Sequence, residues 1–396
     1  MASVPNAVRK SAKNGSTFCL QRPSAGIARP EHVGFVRATA ILALLNPADK
    51  RGDVAYSTLL CAFKNFWRRA FRSCFATGAL DQPGGFAMGA TKMLQPIRSI
   101  RVGTTGIGSM HPEHRHGSRM PVLLWVLLSR RWVDGVPVHF FAIDHQDGLV
   151  LFDTGLDPTI ARDPRAYLGS ALGVFFLNRL FRWQITPKDN VSNELVRMGH
   201  EVRHVCKVVF SHLHFDHTGC IDHLLHAELL APRREWQALI QPKAERKWYL
   251  RQHVDRPGAR WTLFDMQPCD DPYIAPFERC FDVMGDGSIV LLPTPGHTEG
   301  SVSMLLRGAG LPPILLIADL AFELGMLMED QMPGVGEDFE AMRDSYTKVR
   351  KLRARLPGLV ILPSHDMQTV NRLAEALPDR ASPEIPSPPA GSVTQP

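Results

Sequence analysis

The run Ser211-His212-Leu213-His214-Phe215-Asp216-His217-Thr218-Gly219 places three imidazoles and a carboxylate within six residues, directly after the apolar stretch 205–210. Outside a site, buried histidines need hydrogen-bond partners, and a buried unpaired carboxylate costs several kcal/mol. Imidazole and carboxylate together are ligands for first-row metals, and that is the chemistry this pattern points to. His212 and His214 sit two apart, so on an extended chain both side chains leave one face and can hold the same ion. Asp216 and His217 follow where the chain begins to turn and point elsewhere. This is the layout expected of one loop that feeds two neighbouring metals.

The elements that must position this loop are apolar runs ending in polar residues. A strand over 205–210 leads into the loop, and further runs at 288–292 and 302–305 flank Pro293-Thr294-Pro295-Gly296-His297-Thr298. The run 314–318 ends in Asp319, and 359–362 leads into Pro363-Ser364-His365-Asp366. A strand is thus followed at once by a potential ligand four times, at His212, His297, Asp319 and His365. Convergence of strand ends on one edge is how a layered α/β scaffold builds a site. Upstream, 138–143 and 149–152 read as a hairpin closed by Asp147-Gly148. It ends in Asp153-Thr154-Gly155, which is either a plain strand-ending turn or the source of a carboxylate, Asp153, that fixes a ligand histidine's tautomer.

Other segments carry less specific signals. Residues 121–128 read as a buried strand, while 191–199, 221–230 and 236–250 read as helices, followed by an irregular stretch to Pro276. Residues 338–356 place Phe339, Met342, Tyr346, Val349, Leu352 and Leu356 at steps of three and four, an amphipathic helix. The cluster His111, His114 and His116 has a polar, turn-like setting and reads as a solvated loop, with a second metal site as the alternative. Cys220 reads as a small buried hydrophobe rather than a ligand. The aromatic stretch 165–183 reads first as a core helix, with a substrate cleft, a lid or a dimer contact as alternatives.

The chain has 396 residues and a formal net charge of +6. That charge is concentrated: residues 1–80 hold twelve Lys/Arg against three Asp/Glu, leaving 33 against 36 for the remainder. A slightly acidic catalytic portion is a poor polyphosphate binder, which disfavours nucleic acid as substrate. No run reaches the ~18 uninterrupted apolar residues of a membrane span. Seven cysteines without a Cys-x-x-Cys pair argue against a disulfide framework and point to a reducing, cytoplasmic setting. The expected organisation is a basic N-terminal extension over 1–95, a catalytic domain over 96–377, and a Pro-rich disordered tail over 378–396.

Taken in order, the motif at 212–217, Gly296-His297-Thr298, Asp319, Ser364-His365 and the upstream Asp153-Thr154-Gly155 resemble the metallo-β-lactamase-fold hydrolases over about residues 97–366. The resemblance implies an α/β fold, a four-layer αβ/βα sandwich of two mixed sheets with the metal site at one edge. It assigns His212, His214 and His297 to one metal, Asp216, His217 and His365 to the other, and Asp319 to a bridge between them. It also implies two divalent metal ions, zinc by first choice, with iron, manganese or cobalt compatible. Aspartate rather than cysteine at 319 resembles the dinuclear lactonases and glyoxalase II. Residues 131–137 and 293–298 are most similar to the N-acyl homoserine lactonase family. In that family a tyrosine usually follows the bridging aspartate by three residues; here Phe322 stands there and cannot donate a hydrogen bond.

The expected activity is metal-dependent hydrolysis of an ester-type bond, with lactone ring opening as its sharpest form and Asp216 shuttling a proton. The expected partner is a small-molecule ester or lactone, with a homodimer possible and residues 165–183 as acyl-chain surface. A glyoxalase-II-like thioesterase is the alternative, with Lys243, Arg246, Lys247 and Arg251 facing the carboxylates of its substrate. A phosphodiesterase and a non-catalytic metal-binding protein rank below it.

Overall fold

In the computed structural model, which describes residues 95–378, two mixed β-sheets stack face to face between outer helices. The first sheet comprises β1 (Ile97–Met110), β2 (Val133–His145), β3 (Gly148–Phe152), β4 (Phe181–Gln184), β5 (Val205–Val209), β6 (Glu228–Pro232) and β7 (Arg260–Phe264). Its strand order is β4-β1-β2-β3-β5-β6-β7, antiparallel from β4 to β3 and parallel from β3 to β7. The second sheet comprises β8 (Gln267–Pro268), β9 (Arg279–Asp282), β10 (Ile289–Pro293), β11 (Val302–Gly308), β12 (Leu311–Ala318) and β13 (Val360–Pro363), in the order β13-β12-β11-β10-β9-β8.

The alternation of side chains along each strand explains the layers. Phe141, Ile143, Val150 and Phe152 meet Leu291, Met304, Leu306 and Leu316 in a core between the sheets. Phe140, Ala142, Leu149, Leu151 and Val208 point the other way, against Val191 and Leu195 of the helix Val191–Arg197. On the far side, Val290, Leu305, Leu315 and Ile317 pack on Met342, Tyr346, Val349 and Leu352 of the helix Phe339–Arg355. Strands buried on both faces read as unbroken apolar runs, which is why their positions are visible in the sequence. The long helix starts where its cap dictates, with the Asp338 carboxylate accepting from the Glu340 and Ala341 amides.

Several expectations are corrected. Residues 121–128 form the helix Val122–Leu128 rather than a buried strand; Trp125 and Val126 turn inward, while Leu123, Leu124, Leu127 and Leu128 are exposed. Pro121 precedes the first turn, the leucine-rich run favours helix, and the continuous apolar character that suggested a strand comes from a half-exposed element. Residues 221–230 are not helical: one 3₁₀ turn, Ile221–His223, gives way to β6, where pairing with β5 and β7 overrides the helix propensity of Leu and Ala. The helix expected over 236–250 is instead Arg233–Leu239, ended ahead of Pro242, with a 3₁₀ turn at Ala244–Lys247. The stretch taken as irregular contains β7, a parallel strand. The expectations for 1–95 and 378–396 fall, but for their inner edges, outside the described residues. No helix among the described residues is long and apolar enough to cross a membrane.

Candidate metal centre and active-site cavity

Four strand ends deliver the predicted side chains. His212 and His214 leave β5, Asp216 and His217 lie on the short helix Phe215–Thr218, His297 sits between β10 and β11, and Asp319 and His365 follow β12 and β13. Their ligating atoms fall into two groups, His212/His214/His297 and Asp216/His217/Asp319/His365, each with all atoms within 4.8 Å of one another. Asp319 stands between the groups. Its Oδ1 lies 3.1 Å from His217 Nε2 and 3.0 Å from His365 Nε2, while its Oδ2 lies 3.4 Å from His297 Nε2. Asp216 Oδ2 is 3.6 Å from His365 Nε2 and 3.9 Å from His217 Nε2.

The local backbone is built to hold this arrangement. Gly219 donates its amide to the Gly155 carbonyl at 2.9 Å, and a Cβ at 219 would stand 2.7 Å from that oxygen, so only glycine lets the two loops meet. Gly296, at φ +137°, carries its carbonyl to the Glu337 and Asp338 amides, and a Cβ there would strike Met342. Ala318 adopts φ +47° immediately before Asp319, a conformation that non-glycine residues rarely take and that clusters at functional sites.

Asp153 takes the functional one of its two readings. Its Oδ2 accepts from His217 Nδ1 and Ser211 Oγ, and its Oδ1 accepts from the Ser211 amide, all at 2.8 Å. With Nδ1 held as the donor to Asp153, the proton that His217 would give up on binding a metal is the one on Nε2, the atom that faces Asp319. His365 is set the same way by the Pro137 carbonyl, 2.8 Å from Nδ1. Cys220 is buried and donates to the Leu156 carbonyl, away from both groups.

The electrostatics are set by burial and by the closeness of the imidazoles to the carboxylates. Burial, with neighbouring histidines, holds His212 and His214 well below the usual imidazole range, and burial lowers His297. Burial also opposes charge on His217 and His365, but Asp319 and the other carboxylates outweigh it and raise both. Asp319, although buried, is held well below the carboxylate range by His365 and His217. His212 Nε2 and His297 Nδ1 are buried without hydrogen-bond partners, and His217 Nε2 and Asp319 Oδ1 meet only each other and His365. Native interiors rarely leave polar atoms so, and an all-nitrogen-and-oxygen set of this kind fits two metal ions.

One feature escaped sequence reasoning and another was misread by it. Glu235 is fully buried beneath the site; its Oε2 accepts from the Leu213 amide (3.0 Å) and Tyr249 hydroxyl (3.2 Å), its Oε1 from Thr298 Oγ1 (2.7 Å) and the Gly300 amide (2.8 Å). It therefore clamps the His212–His214 loop to the His297 loop. Burial pushes its carboxyl up to about 7 against the hydrogen bonds from Thr298, Leu213 and Gly300. Its position after Arg233-Arg234 gave no signal, since that context reads as a solvated helix face. The second feature corrects the reading of 111–116 as a solvated loop: His111 and His114 are buried at the end of β1 and on the helix Pro112–His116.

A cavity of about 920 Å³ opens over the two groups and is lined by His214, Asp216, His297, Asp319 and His365 on one side. Leu123, Val126, Leu172, Phe176, Leu180, Phe181, Trp183 and Trp248 make the opposite, apolar wall. Residues 165–183 are therefore a cavity wall rather than a plain core helix: in the helix Ala171–Leu180, Leu177 and Leu180 are buried while Leu172 and Phe175 are exposed. Of the four basic residues expected to face an anionic substrate, only Arg246 and Lys247 line the cavity. Lys247 is paired with Glu337 at 2.9 Å.

The sequence and the fold have counterparts among known proteins. The profile of the Metallo-beta-lactamase superfamily matches residues 133–365. N-acyl homoserine lactonase AttM of Rhizobium johnstonii is 32% identical over 239 residues, covering 58% of this chain and 82% of the relative. An N-acyl homoserine lactonase of a Bacillus species is 24% identical over 233 residues, covering 59% and 82%. A solved N-acyl homoserine lactone hydrolase, with the product N-hexanoyl-L-homoserine bound at its catalytic metal center, superposes with a TM-score of 0.55 at 19% identity, over 69% of this chain and 94% of that one. The last likeness shows the fold alone; the profile and the AttM relative show the lineage. The chain belongs to the metallo-beta-lactamase superfamily, in the group of the N-acyl homoserine lactonases.

Proposed function

We propose that this protein opens the lactone ring of N-acyl homoserine lactones, with two zinc ions held by His212, His214 and His297 on one side, Asp216, His217 and His365 on the other, and Asp319 between. The observation that carries the reading is the split of the Asp319 carboxylate, one oxygen 3.0–3.1 Å from His365 and His217 and the other 3.4 Å from His297. Bound divalent cations supply Lewis acidity and lower the pKa of water enough for nucleophilic attack near neutral pH. The side chains do the rest. Asp153 and Pro137 hold His217 and His365 in the ligating tautomer. Asp216, half-buried and facing the cavity, is placed to take a proton from the attacking water and return it to the ring oxygen as the carbonyl carbon–oxygen bond breaks. The apolar wall excludes water from one side and takes the acyl chain.

The thioester alternative is weaker. A substrate with several carboxylates needs unbalanced cations, and Lys247 is neutralised by Glu337 and Arg251 by Asp255. The test is ring opening of N-hexanoyl-L-homoserine lactone by zinc-loaded protein, followed by the one proton released per turnover. Failure on this lactone together with turnover of a thioester or aryl ester would replace the proposal.

A further inference from the structure

His111 and His114 are three residues apart and both buried, yet only one is accounted for by the fold. The two ring nitrogens of His111 lie 2.6 Å from the Arg131 and Arg179 carbonyls, so it cross-braces the end of β1. The His114 ring has no such partner: Nδ1 is enclosed without a hydrogen bond, and Nε2, outside that enclosure, is the nitrogen left to meet a ligand in the cavity, the residue as a whole being 6% exposed. Native interiors rarely leave a polar ring without partners, so an imidazole in a cavity wall with no protein partner is suited to one that arrives with the ligand.

Its place in the cavity says which part of a ligand that is. His114 lines the same cavity as the two ligand groups and is the one histidine there outside them. Its ring lies 5.7 Å from the Phe322 ring, which in turn is 5.7 Å from His365 and 6.3 Å from His297. On its other side it faces Phe181 of the apolar wall at 5.3 Å and is backed by the buried Trp125 at 5.9 Å. The order across the cavity is therefore metal ligands, His114, apolar wall. The order along an N-acyl homoserine lactone is ester, amide, alkyl chain. The backbone holds the ring at that seam, since the Gly334 amide donates to the His114 carbonyl at 2.8 Å and neighbouring Arg115 pairs with Glu323.

We propose that His114 recognises the amide that joins the lactone to its acyl chain, donating a hydrogen bond to the amide carbonyl oxygen. This rests on the lactonase reading and goes beyond it, because it makes the enzyme selective for acylamino lactones over lactones with a plain alkyl chain. Burial, reinforced by His297, lowers His114 to about 3, so at neutral pH the ring is uncharged and carries one N–H. A neutral donor suits a neutral amide.

The test compares N-octanoyl homoserine lactone with α-nonyl-γ-butyrolactone, in which two methylenes replace the amide, using zinc-loaded full-length protein. His114→Leu is expected to reduce the ratio of kcat/KM for the two lactones about tenfold, mostly through KM, with metal content unchanged. His114→Gln, which keeps an N–H at similar reach, should hold the ratio within about threefold of wild type. His114→Asn, shorter but still polar, should lose it and supplies the comparison if the leucine variant does not fold. An equal loss on both lactones, or no loss on either, overturns the proposal. Failure of the wild type to open either lactone is a distinct result, which sinks the lactonase reading and this inference with it.

Discussion

Replacing Asp153 by Asn removes one oxygen's charge and leaves the shape intact. Asp153 sits at φ +63°, a left-handed conformation that Asn adopts readily, so the backbone is not strained by the change. The side chain accepts three hydrogen bonds of 2.8 Å, two at Oδ2 from His217 Nδ1 and Ser211 Oγ, and one at Oδ1 from the Ser211 amide. An Asn amide must aim its NH₂ at one of these ends. Aimed at the Ser211 amide, it sets donor against donor. Aimed at His217, it turns Nδ1 into an acceptor and moves the proton to Nε2, the atom that faces Asp319. Either outcome weakens one ligand of one metal. Loss of such a partner typically costs 10–100-fold in metal affinity, about 1.4–2.7 kcal/mol. Titrating metal-free protein with zinc against a chromogenic chelator should show one affinity near wild type and one lowered by that factor, with kcat/KM falling in parallel. Two wild-type affinities in Asp153→Asn would refute the idea that Asp153 orients His217 for a metal.

Three further outcomes follow from the same geometry. Glu235→Gln should place an amide NH₂ against two donors, lower stability by about 2 kcal/mol and weaken binding at the His212/His214/His297 group; an unchanged Tm and zinc affinity would show that the clamp is dispensable. Gly219→Ala should destabilise the fold and lower metal content together, because its Cβ meets the Gly155 carbonyl at 2.7 Å; a wild-type Tm would contradict that close approach. Loading metal-free protein should release protons. His217 and His365 have raised folded pKa values, so they carry protons below those values and must give them up to bind metal; apparent affinity therefore rises with pH. The same sign means that, in the metal-free state, these charged pairs stabilise the fold fully below the unfolded histidine pKa and lose that contribution as pH climbs through the folded values. No colour change of a pH indicator in weakly buffered solution on zinc addition would refute the protonated state.

The residues brought together around Asp319 were legible because each follows a strand buried on both faces, where an apolar run ends abruptly in a histidine or aspartate. The same logic made β3, β5, β10, β12 and β13 visible and with them the sandwich. It failed where burial is one-sided or pairing is decided at a distance. Residues 122–128 are apolar because one face closes the cavity and the other is exposed, a pattern that imitates a buried strand. β6 has helix-forming residues and becomes a strand only because β5 and β7 flank it. Glu235 was invisible, and His114 was misread as solvated, for a related reason. Their neighbours in the chain are charged, and only the fold reveals that each is buried, Glu235 with four donors and His114 with none.

The central claim is that two cations, held by these seven side chains, are required for lactone opening. Its most direct test is the rate of proton release from N-hexanoyl-L-homoserine lactone as zinc is added stepwise to metal-free protein. The account predicts no ring opening without metal and a rate that rises until two equivalents per chain are bound, with Asp319→Ala inactive throughout. Activity in the metal-free protein, or full activity with Asp319→Ala, would contradict it.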